Sequence, residues 1–248
     1  MPRALIFQHM DHDTAGRFLD FFTEDGIRAD TVRLWESEQI PSLAGYDLLL
    51  VLGGAQDVWQ EAEYPWLKAE KAAIREWVQQ RAKPYIGLCL GHQLLADALG
   101  GEVGMAAQAE VGVFDLSLTE AGLSHPLFQG LSSHHKVMQW HFAEVKTAPP
   151  GAAVLARSAQ TAIQSLAIGS HAAGFQFHAE FTPQSVASWA SLPGYLASLT
   201  KTLGPDGYER LSREALPLMP EMARMTRRLY HNLMAGAGLR QAAARAAE

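Results

Sequence analysis

The chain has 248 residues, 48% of them hydrophobic, and a formal net charge of −6. That is enough to bury one large α/β core, and the acidic balance gives no support for binding nucleic acid or an anionic membrane. A single cysteine excludes an internal disulfide framework and makes a reducing cytoplasm the expected compartment, while no apolar run approaches a membrane span and no signal region is expected after Met1-Pro2-Arg3.

Arg3 to Gln8 reads as a first strand, whose carboxyl end carries His9, Met10, Asp11, His12 and Asp13. Two histidines and two aspartates could hold a metal, but they lack a recognised ligand spacing. The expectation is a solvated loop with one substrate-facing histidine, and neither a metal nor a cofactor. Ala15, Phe18, Leu19 and Phe22 mark the buried face of a first helix that closes near Gly26. A second strand is expected over 28–34, and a third over 47–52, continuous in its apolar character as strands buried on both faces are. The third runs into Gly53-Gly54, where two bare backbones allow either a tight turn or a close approach to a ligand. A helix follows from Tyr64-Pro65-Trp66, with Ala69, Ala73, Ile74, Trp77 and Val78 inward and Lys68, Glu70, Lys71, Arg75 and Glu76 toward water.

The stretch KPYIGLCLGHQLLADALGG, 83–101, carries the chemistry. An apolar strand ends at Leu88, a helical repeat of Leu94, Leu95, Ala98 and Leu99 begins beyond it, and Cys89 sits at the turn between Gly87 and Gly91. This is a nucleophile elbow with sulfur in place of oxygen. A helix N-terminus favours the thiolate, and its N–H groups can hold an oxyanion. After residue 101, short strands are expected at 102–103, 111–118, 136–145, 153–156, 161–168 and 174–178, forming an antiparallel or mixed extension of a doubly wound, mostly parallel sheet. In the last of them His178 and Glu180 stand two apart, on one side of an extended chain, so that a carboxylate can orient an imidazole. Thr182-Pro183 reads as the N-cap and first residue of the next helix. His134, His135, His141 and His171 are read mainly as loop or sheet residues.

VLGGAQDVW at 51–59, EYPWL at 63–67, GLCLGHQLLADALGG at 87–101 and GFQFHAEFTP at 174–183 together resemble the class I, or triad, glutamine amidotransferases, in particular stand-alone proteins similar to the amidotransferase domain of GMP synthase. The resemblance runs from about Ala4 to Trp189. It implies a flavodoxin-like fold in which Cys89 attacks the glutamine side-chain amide and forms a γ-glutamyl thioester. His178 then serves as acid and base, and Glu180 orients it. Gly54 and Leu90 would supply the oxyanion N–H groups, with Gly53, Gln93, Trp140 and His141 on the substrate side. Ala55 and Ala179 stand where the family often has proline, and Ala55 touches the loop that would form the oxyanion hole.

No P-loop or second catalytic domain follows residue 190, so an amidotransferase domain over 1–195 and a C-terminal helical extension over 196–248 are expected. Leu211, Ala215, Leu218, Met222, Met225, Leu229 and Leu233 recur at helical spacing despite Pro217 and Pro220, and would pack on the domain or on another subunit, including a second copy of the chain. The end, QAAARAAE, is expected to fray. Three readings stand side by side: a glutaminase that delivers ammonia to a separate synthase, a free-standing hydrolase of γ-glutamyl compounds, and a catalytically quiet binding protein. The third has no need of the Cys89, His178 and Glu180 set.

Overall fold

The computed structural model describes residues 1–239; the expected fraying at 241–248 lies outside them. Strand β1 (Arg3–Gln8) is buried along its middle, and helix α1 (Phe18–Glu24) crosses from it to β2 (Arg28–Arg33). Then come β3 (Leu48–Val51), α2 (Trp66–Arg75) with a π-helical turn at Glu76–Gln80, β4 (Tyr85–Leu88) and α3 (Leu90–Ala98). The second half holds β5 (Glu102–Leu118), α4 (Glu120–Ser124), β6 (His134–Thr147), β7 (Ala152–Arg157), β8 (Ser165–Ile168) and β9 (Ala172–Phe175). Four helices end the described chain: α5 (Pro183–Ala190), α6 (Pro193–Leu203), α7 (Gly207–Ala215) and α8 (Met219–Gly236).

Among the described residues the strands form one nine-stranded sheet in the order β2-β1-β3-β4-β9-β8-β7-β5-β6. The pairs from β2 through β9 are parallel and those from β9 through β6 antiparallel. The flavodoxin-like parallel half with an antiparallel extension is therefore as the sequence implies. Register is what assembles a site: Val51 pairs with Gly87 and Gly87 with Gly174. The carboxyl ends of β3, β4 and β9 thus lie side by side, and the segments leaving them emerge together, where open α/β sheets bind ligands.

Alternation along the strands divides the core. Ile6, Leu50 and Ile86 face α1 and α8, where Tyr230 packs among Phe18, Phe21 and Phe22. Leu5, Phe7, Leu49 and Val51 face α2 and α3, with Leu67, Ile74, Trp77, Leu94 and Leu95. A third cluster joins Val111, Met138 and Trp140 of the hairpin strands to Trp189, Leu199, Leu211, Ala215 and Met222. The C-terminal helices thus pack on this chain's own sheet, with Pro217 and Pro220 in the first turns of a 3-10 segment and of α8, where a missing N–H costs little. Among the described residues no helix is long and apolar enough to cross a membrane.

Several expectations need correction. Residues 102–118 form one strand, not two, because the small and polar stretch near 105–110 stays extended through a register shift against β6. Leu19 is exposed and Phe21 buried, so the inward face of α1 is set by three phenylalanines. Ala69 is exposed, while Glu70 and Lys71 are buried because each has found a polar partner. Glu70 meets His9, and Lys71 meets the Val58 carbonyl, Glu61 and Asp97.

Candidate active site

Cys89 leaves β4 with φ +48° and ψ −102° and caps α3. A non-glycine residue rarely adopts positive φ, and here it lifts the thiol out of the strand. The Cys89 N–H is tied to the Phe175 carbonyl (2.8 Å) and the Gly91 N–H to Leu52 (3.1 Å), so the turn is fixed from β9 and from β3. The Leu90 N–H belongs to the first turn of α3, whose amides have no partner inside the helix. Gly54 lies beside it: a side chain there would press on Leu90, His9 and Gln56 within 3 Å. Gly53 lies against the heart of the cluster, since a Cβ there would stand 3.4 Å from His178 and 3.6 Å from Cys89.

His178 and Glu180 come together by a turn, not by the pleat of a strand as their spacing suggests. β9 ends at Phe175, and the Ala179 N–H folds back on Phe177 (3.1 Å). Glu180 Oε1 then bonds His178 Nδ1 at 2.6 Å, while His178 Nε2 is buried without a hydrogen-bond partner among the described residues. Burial opposes charge on this ring, but Glu180 and the Cys89 sulfur outweigh it and hold its pKa well above the usual histidine value. Trp189 stands edge-on to the imidazole at 4.8 Å. Arg17 supports the turn from the other end of the chain. Its N–H bonds the Glu180 carbonyl (3.2 Å) and its guanidinium the Phe181 carbonyl, across 164 residues.

Gln93 does not lie open to a ligand by its amide nitrogen. It donates to the Ala143 carbonyl (3.0 Å) and to Gln176 Oε1 (3.1 Å), and Gln176 in turn directs its own nitrogen at Cys89 Sγ (3.6 Å). The Trp140 carbonyl faces the same sulfur at 3.7 Å, and its ring packs on Trp189 and Tyr195. His141 borders the cavity, yet both its ring nitrogens are engaged, with Glu110 at 2.8 Å and the Ala143 carbonyl at 3.0 Å.

The His9 to Asp13 segment is not a solvated loop. His9 is wholly buried, stacked on Trp66, and bonded to the Gly53 carbonyl and to Glu70, each at 2.8 Å. Burial works against its charge, and Glu70 more than restores it, so its pKa is raised. Two acceptors require two N–H groups, which fits a protonated ring. The result is a buried ion pair that pins the glycine loop. His12 and Asp13 reach the cavity instead, and the Tyr195 hydroxyl donates to both Asp13 carboxylate oxygens (3.1 and 3.3 Å). Burial raises the Asp13 pKa against the pull of His178 and Tyr195.

Sequence reasoning thus passed over Glu70, Asp13, Gln176, Trp189 and Tyr195. Only Gln176 had a signal within reach, two residues before His178 in a quoted motif.

The model of the family described as glutamine amidotransferase class-I matches residues 22–188. The glutamine amidotransferase-like protein YfeJ of Salmonella typhimurium is 35% identical over 188 residues, which cover 74% of this chain and 78% of that one. A GMP synthase of Aeropyrum pernix is 33% identical over 162 residues, 63% of this chain but only 29% of the synthase. The crystal structure of a glutamine amidotransferase from Thermotoga maritima superposes with a TM-score of 0.84 at 26% identity, covering 94% of this chain and 97% of that one. On its fold, its elbow and these relatives, the chain belongs to the class I glutamine amidotransferases.

Proposed function

We propose that the protein releases ammonia from the side-chain amide of glutamine through a γ-glutamyl thioester on Cys89. The observation that carries this is the His178 ring, gripped by Glu180 at Nδ1 and open at Nε2 beside a cysteine on a strained elbow. The Cys89 thiolate attacks the amide carbon while the Gly54 and Leu90 N–H groups receive the oxyanion. As the C–N bond breaks, His178 gives its proton to the leaving nitrogen. Water then attacks the thioester and passes a proton back to His178, and the C–S bond breaks to leave glutamate and the thiolate.

The relatives support a further step in this reading. The chain matches under a third of the Aeropyrum pernix synthase, so an ammonia-consuming partner would be a separate chain. The free thiol suits a reducing compartment, and we place the protein in the cytoplasm. The test is ammonia release from glutamine by the purified protein beside Cys89→Ala. We expect turnover to fall at least about a thousandfold in the variant with unfolding unchanged. Equal release by the two proteins would exclude the thioester route.

A further inference from the structure

The cavity over Cys89 has a volume of about 640 Å³. Pockets of ~300–1,000 Å³ enclose drug-sized ligands, and glutamine is far smaller than these. The surplus space lies in a definite direction. In the proposed reaction the leaving nitrogen must sit beside His178, because that ring protonates it. Trp189 stands edge-on to the ring, and Tyr195 stacks on Trp189 at 5.8 Å with 26° between planes. Whatever the nitrogen carries must therefore emerge against the segment 189–198.

That segment lies beyond residue 188, where the match to the family model ends. It supplies Trp189, Leu192, Pro193, Tyr195 and Ser198 to the cavity wall. Met105 and Phe142, 58% and 41% exposed, rise on the opposite rim. The lining is mainly apolar and aromatic, and its charged side chains are acids: Asp13, close enough to His178 to feel its charge, and Asp57. Among the described lining residues there is no lysine or arginine. A carboxylate on the amine half, as any γ-glutamyl peptide carries, would be buried near an acid with no cation to pair it, whereas a neutral or cationic amine would not.

We propose that the site accepts γ-glutamyl amides of large apolar amines, neutral or cationic, with the amine half seated against residues 189–198, and discriminates against γ-glutamyl peptides. The inference rests on the thioester reading of Cys89. Hydrolysis follows the same course, the amine leaving in place of ammonia with the His178 proton.

A matched pair of compounds isolates the claim: γ-glutamyl phenethylamide and γ-glutamylphenylalanine share a phenyl ring and differ by one carboxylate. Calorimetric binding to Cys89→Ala, which needs no turnover, should favour the phenethylamide at least tenfold over both the phenylalanine conjugate and glutamine. Leu192→Ala, which removes part of the wall, and Ser198→Phe, which fills the cavity, should each lower the phenethylamide-to-glutamine affinity ratio severalfold. Wild-type kcat/KM should follow the same order. Equal binding of the three compounds alongside Cys89-dependent ammonia release from glutamine would overturn the subsite and leave the thioester reading standing. The expected binding order with no turnover of any donor by the wild type would overturn the thioester reading and keep the subsite as a binding site.

Discussion

Glu180 reaches the sulfur only through His178, so its removal should change the chemistry through the ring. In Glu180→Gln the side chain keeps its shape and loses its charge. Burial then acts on His178 with less opposition, and the ring gives up its proton at a lower pH than in the wild type. We expect kcat to fall by roughly 10²–10⁴ with a much smaller change in KM, and the alkaline limb of the kcat/KM profile to move toward lower pH. An unchanged pH profile would mean that Glu180 only fills space. At this scale the sequence was legible where chemistry is local. Cys89 has its glycines within two positions, and His178 has its carboxylate two residues on. The partners that are distant along the chain were not legible: Glu70 for His9, Gln176 for Cys89, and Tyr195 for Asp13, the last pair 182 residues apart. Charge and helical periodicity placed Glu70 on the water side of α2, and only the tertiary fold supplies the histidine that reverses this.

The elbow is a matter of how closely one element can approach another. At Gly91 a Cβ would stand 2.2 Å from the Val51 carbonyl oxygen and 2.8 Å from its carbon, backbone against backbone, with no flexible side chain to give way. Gly91→Ala must push α3 away from β3 and carry Leu90 and Cys89 with it. We expect a loss of about 1–3 kcal/mol or more in urea unfolding, together with a fall in ammonia release. Wild-type stability would show that the two elements are less tightly joined than the geometry indicates. The parallel strands were legible because burial on both faces writes itself as LLLV or YIGL. The continuity of β5 was not, since its small and polar middle is held by pairing with β6 and not by any preference of its own.

For the molecule as a whole, His92 sets a limit in acid. It is wholly buried, and burial pulls its pKa from 6.5 to about 3 despite a hydrogen bond to the Ile163 carbonyl. Between those values the unfolded chain binds a proton that the native state refuses. Stability is therefore fully present above the unfolded pKa and falls as pH drops, by roughly 1.4 kcal/mol per pH unit from this group. Urea midpoints measured between about pH 7 and pH 5 should decline, and the decline should be shallower in His92→Gln; equal slopes would assign the acid sensitivity elsewhere. The sequence showed helical spacing in the C-terminal stretch but not its destination, because an amphipathic face does not name the surface that it covers. The long reach of the site also has a consequence in time. The elbow is complete once α3 has been made, whereas Gln176, which directs its amide at the thiol, lies 87 residues further on, and the roofing residues come later still. At ~5–20 residues/s, each nascent chain carries its one cysteine uncovered for roughly 5–20 s of synthesis, so oxidative damage to this protein should fall most heavily on chains still on the ribosome.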